Sequence, residues 1–138
     1  MLRQRLLVPL VAGATLIAGV FIARAQTEQR VFEIRTYTCY PGRLPALEKR
    51  FRDHTIEIFN RHGMTSIGYW IPQDAPRSQD TLIYILAHPS RQAAKQHWDE
   101  FRSDPEWQKV QAESEAPGKI VSHVDSIYAD PADFSPLK

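Results

Sequence analysis

The chain has 138 residues, 43% of them hydrophobic and 24% charged, with a formal net charge of +1. That is enough for one domain, and it excludes the basic footprint of a nucleic-acid binder, since no stripe of Lys and Arg interleaved with aromatics occurs. Cys39 is the only cysteine, which rules out an intrachain disulfide and reads as a small, partly buried apolar residue.

Residues 1–25 read as an export leader. Arg3 and Arg5 form a basic start, 6–22 is apolar and uncharged, and Ala23-Arg24-Ala25 is the small-x-small pattern cut between Ala25 and Gln26. The alternative is an uncleaved anchor, the one case in which a membrane would be a partner. Pro9, Gly13 and Gly19 weaken the segment as a permanent helix. No Arg-Arg pair marks twin-arginine export. The expected location is the bacterial periplasm. Losing Arg3, Arg5 and Arg24 with the leader turns the net charge from +1 to −2.

Residues 31–38 alternate as a strand, with Phe32 and Ile34 on one face and Val31, Glu33, Arg35 and Tyr37 on the other. Tyr40-Pro41-Gly42 breaks it. A helix follows over about 44–61. Leu47, Phe51, His54 and Ile58 are spaced four, three and four apart and so share a face, Pro45 falls in the first turn, and Gly63 suits a left-handed cap. Residues 64–71 are rich in β-branched and aromatic side chains and read as a strand; 72–80, with two prolines, read as an exposed loop. The apolar run 81–87 predicts a strand covered on both faces. Ser90 caps a helix whose inward stripe is Ala94, His97, Trp98 and Phe101. Asp104-Pro105 opens a further short helix anchored by Trp107 and Val110. A last strand is expected over 119–128, and 131–138 as a loosely held tail.

The order strand, helix, strand, strand, helix, strand predicts a ferredoxin-like βαββαβ sandwich. This is an α+β domain over 26–130, with an antiparallel sheet and the helices on one face. The opposite face, to which Ile67, Tyr69, Ile83, Ile85, Val121 and Ile127 are assigned, is too apolar to stay wet. A second copy packed on it is the economical solution.

Three segments carry a resemblance: Glu33-x-Arg35-x-Tyr37, then Gly63 with Gly68-Tyr69-Trp70, then Arg91 with Trp98-x-x-Phe101 and Asp104-Pro105-Glu106-Trp107. In this order they resemble the NIPSNAP family over almost all of 31–128. The resemblance implies a dimeric α+β barrel, in a superfamily that also holds antibiotic-biosynthesis monooxygenases and haem-degrading enzymes. It implies no agreed catalytic motif. The mitochondrial and vesicle-traffic associations of animal members do not transfer to a chain with a bacterial-type leader.

Glu33, Arg35 and Tyr37 line a strand face covered on both sides, where a charge must be paired or bind something. A Glu33–Arg35 ion pair closing over Tyr37 is the plain reading; Arg35 holding a ligand carboxylate or enolate, with Tyr37 donating a hydrogen bond, is the functional one. Trp70 and Tyr84 are core aromatics or cavity walls. His54 and His97 sit on inward stripes, either as satisfied core histidines or as a haem ligand or general base. His62, His88 and His123 read as turn or strand-edge residues. The five histidines form no zinc pattern, and neither a nucleophile elbow nor a phosphate loop is present. The expectation is a cofactor-free homodimer with a modest apolar cavity between sheet and helices that binds a small hydrophobic molecule. Haem binding or degradation, and a non-catalytic envelope interaction module, are the alternatives.

Overall fold

The computed structural model describes residues 30–138; the leader and its Ala25–Gln26 cleavage point lie outside the described residues. The chain runs β1 (Val31–Cys39), α1 (Leu44–Arg50), a π-helical turn (Phe51–Thr55), α2 (Ile56–Arg61), β2 (Thr65–Trp70), β3 (Thr81–His88), α3 (Arg91–Ser103), α4 (Pro105–Ser114) and β4 (Val121–Ala129). All strand pairs are antiparallel, in the order β2-β3-β1-β4, which is the ferredoxin-like arrangement.

The expected start and stop signals act as read. Pro45 lies in the first turn of α1. Gly63, at φ 75°, ends α2 with Met64 N–H donating to the Phe59 carbonyl and Gly63 N–H to that of Asn60, a left-handed cap. Ser90 Oγ accepts from Ala93 N–H, and Asp104 accepts from the N–H groups of Glu106 and Trp107. Between sheet and helices lies an aromatic layer in which Phe51 meets Tyr37, Phe59, Tyr69 and Tyr84 mostly edge-on. Cys39 is buried beside it, and burial pushes its thiol up to about 11, leaving it unreactive.

Three one-residue irregularities overturn face assignments made from periodicity. The π turn shifts the phase of the first helical rod, so Arg50, Phe51 and Thr55 face inward and His54 is exposed. A bulge between Ser66 and Gly68 turns Tyr69 inward, opposite Tyr84. A second bulge, where Thr38 pairs His123 but Cys39 pairs Val121, turns Val121 inward too. Ile83, Ile85 and Ile127 keep the outer face. His88, expected to follow the strand, is instead its last residue and fully buried. The tail is also better held than expected: Arg30 Nε donates to the Lys138 carbonyl at 2.7 Å, and residues 130–137 lie beside Phe32, Ile34 and Ile85 on the outer face.

Candidate functional site

Because β1 alternates, Glu33, Arg35 and Tyr37 project together toward the helices. Glu33 is 1% exposed, and a carboxylate so deep must be paired and hydrogen-bonded. Four donors from four elements meet it. Arg35 Nη1 (2.5 Å) and Ser126 Oγ (2.8 Å) reach Oε1, while Trp98 Nε1 (2.7 Å) and His88 Nε2 (3.1 Å) reach Oε2. Burial raises the carboxyl's pKa, but the bonds from His88, Trp98, Arg35 and Ser126 outweigh it and hold the group at about 2. The ion pair expected from sequence is therefore present, as one arm of a larger knot.

Arg35 is largely committed. Its guanidinium lies 4.2 Å from the centre of the Trp98 ring, and Nη2 donates to the Tyr37 hydroxyl at 3.4 Å. Tyr84 Oη donates to the same hydroxyl at 2.9 Å. Tyr37 thus accepts twice, and its own proton has no acceptor among the described residues.

Tyr37 borders a cavity of about 330 Å³ between sheet and helices, walled by Phe51, Phe59, Phe101 and Trp107 with Arg50 and Glu115 at its polar side. A second cavity, of about 430 Å³, lies between α3 and β4 against Glu33 and Arg35, and is bordered by Arg91, Lys95, Arg102 and Tyr128.

Of the six candidate side chains, the fold joins Arg35, Tyr37 and Tyr84 and separates the others. Tyr84 is fully buried core. Trp70 is 49% exposed on the outer face, its ring over Gly68. His54 borders a surface cleft with Lys49 and Asp53. His97 packs over Gly63 and meets His88 Nδ1 to Nδ1 at 3.2 Å, so it touches the knot only at second hand. Burial first, then His88, lowers its pKa. Neither ring borders the two cavities against the sheet.

Trp98, His88 and Ser126 are the donors that sequence reasoning missed as partners of Glu33. His88 carried a usable signal, since it continues the two-residue period of Tyr84 and Leu86. Ser126 carried none, because its position opposite Arg35 exists only through strand pairing. Among the described residues no group of three or more His, Cys, Asp or Glu could hold a metal ion, and no helix is long and apolar enough to cross a membrane.

The sheet order, the helices on one face and the polar knot between them define an α+β domain of the ferredoxin-like class. The chain belongs to the NIPSNAP family, whose model matches residues 32–136. It is similar to a NIPSNAP family protein of unknown function from Agrobacterium tumefaciens (26% identity, TM-score 0.69, covering 81% of this chain and 96% of the other). It is also similar to an uncharacterized NIPSNAP domain protein from Burkholderia xenovorans (22%, 0.65, 77% and 98%). A candidate antibiotic biosynthesis monooxygenase from Chloroflexus aurantiacus shares the fold (17%, 0.50, 79% and 99%). No curated protein matches the chain.

Proposed function

We propose that this protein binds a small hydrophobic molecule in the aromatic cavity between sheet and helices, with the Tyr37 hydroxyl donating to a polar atom of that molecule. The observation that carries this is the saturation of Tyr37 as an acceptor by Tyr84 and Arg35, which leaves its proton for a ligand. Aromatic walls with a few polar groups, here Tyr37, Arg50, Glu115 and Lys119, are the usual make-up of a small-molecule site. Haem through His54 or His97 has no comparable support, because both rings lie away from this cavity.

The test uses a neutral apolar fluorophore, N-phenyl-1-naphthylamine, and ketone competitors. The fluorophore is expected to bind and brighten in the wild type. Tyr37→Phe should keep the fold and weaken a ketone competitor roughly tenfold, the worth of one hydrogen bond in a dry site. Absence of any binding by the neutral fluorophore would refute the reading.

Two further properties belong to the same proposal. Export to the periplasm rests on Arg3, Arg5, the apolar run and Ala23-Arg24-Ala25. A homodimer through the outer sheet face rests on Ile127, 60% exposed, beside the half-buried Ile34, Ile83 and Ile85, and on Phe134, 88% exposed, projecting from the tail.

A further inference from the structure

The two cavities against the sheet follow one another along the same three elements. On β1, Tyr37 borders the aromatic cavity and Arg35 the basic one; on β4 the pair is Val124 and Ser126; on α3 it is Phe101 and Trp98. Each of the three elements thus contributes residues to both cavities. The first cavity carries Arg50, paired with Glu115, and Lys119, whereas the second is the more cationic of the two. Arg35, Arg91, Lys95 and Arg102 border the second cavity, and the one carboxylate among its walls, Glu33, is already filled by four donors.

These cations are not equally free. Lys95 and Arg102 share one carboxylate, Asp99, at 2.7 Å each. Arg35 is bound to Glu33 and Tyr37. Arg91 has no ion pair among the described residues, and its guanidinium lies 4.3 Å from the centre of the Tyr128 ring, spanning from α3 to β4. A guanidinium set over an aromatic ring still has N–H groups to offer a planar anion, and a carboxylate can accept two parallel bonds from them.

We infer that Arg91, flanked by Lys95 and Arg102, takes the carboxylate of a hydrophobic carboxylic acid whose apolar body lies in the aromatic cavity. This rests on the reading of that cavity as a ligand site and adds the chemical class of the ligand. It also moves anion recognition from Arg35, where the strand sequence placed it, to a residue on the facing helix.

Displacement of N-phenyl-1-naphthylamine by decanoate and by decanol tests the inference, since the two competitors share a chain and differ in charge. Decanoate is expected to compete roughly tenfold or more better than decanol in the wild type, as a charge-assisted pair predicts. Added salt should shrink that margin. Arg91→Ala should abolish the margin by weakening decanoate alone, with decanol competition and melting temperature unchanged because Arg91 is exposed. Arg91→Lys should retain part of it. Equal competition by the two molecules in the wild type, with the fluorophore bound, would overturn the inference and leave the apolar site standing; so would a margin that survives Arg91→Ala. Inorganic phosphate binding without any effect of chain length on carboxylate affinity would equally overturn it, by showing an anion site unconnected to the cavity. Failure of the fluorophore itself to bind would refute the underlying cavity reading instead.

Discussion

At the scale of single residues, Glu33 decides more than any other side chain. Its four donors come from β1, β3, β4 and α3, so one carboxylate ties the sheet to a helix. Glu33→Gln removes the charge that Arg35, His88, Trp98 and Ser126 converge on and leaves the Arg35 guanidinium uncompensated. The expected loss is roughly 3–5 kcal/mol by chemical denaturation. Arg35→Met should cost less, since three donors remain on the carboxylate. If the pair were isolated, the double variant would recover most of the loss. With His88 and Trp98 also aimed at Glu33, it should recover only part. The same carboxyl sets an acid limb. Its pKa falls from 4.5 unfolded to about 2 folded, so its contribution is fully present above 4.5 and is lost as pH falls from there toward 2. The difference is about 3 kcal/mol, read from urea unfolding at pH 6 against pH 2.5, and Glu33→Gln should flatten that limb. The lowered pKa of His97 has the same sign at higher pH, its stabilisation being present above about 6.5 and falling below it.

At the scale of elements, caps and phase slips explain where side chains end up. Asp104 accepts from two backbone N–H groups opening α4, from Arg61 at 3.0 Å and from the His62 ring at 2.7 Å, and His62 foremost holds its carboxyl well below the usual range. Asp104→Ala therefore removes a cap and the joint between two helices, with an expected loss of about 1–2 kcal/mol in thermal or urea unfolding. His54 is the contrasting case. The π turn carries it to the surface, so His54→Gln should leave stability within about 0.5 kcal/mol and leave binding of N-phenyl-1-naphthylamine unchanged. A clear loss of either would place His54 back on the inner face and remove the phase shift.

At the scale of the whole molecule, helices dress one face of the sheet and, among the described residues, the tail alone lies on the other. Phe32 and Ala87 are buried there, yet Trp70, Ile127 and Phe134 remain exposed. Light scattering of residues 26–138 is expected to give twice the chain mass at micromolar concentration. Ile127→Asp, which places a charge in the centre of the proposed contact, should return it to the mass of one chain without loss of the far-ultraviolet spectrum. A wild-type monomer would refute the second copy as the cover of this face. Intact mass of the protein from its native host should correspond to a chain beginning at Gln26; a chain beginning at Met1 in the membrane fraction would support the anchor instead.

Much of this architecture is local in origin. Proline and glycine positions, the Ser90 and Asp104 caps and the alternation of β1 depend on neighbours in sequence, and so element order, helix ends and the shared face of Glu33, Arg35 and Tyr37 are legible in the sequence. The Glu33–Arg35 pair was legible for the same reason, being two residues apart on one strand. Periodicity is blind to an inserted residue, which changes the phase without changing composition. His54, Tyr69 and Val121 were consequently assigned to the wrong faces, each beyond one irregularity in helix or ladder. Only the tertiary structure could bring Ser126, His88 and Trp98 to one carboxylate, because their convergence depends on strand register and helix docking across 93, 55 and 65 residues of chain. The same long-range pairing lays Arg91 over Tyr128 and sets the basic cavity beside the aromatic one.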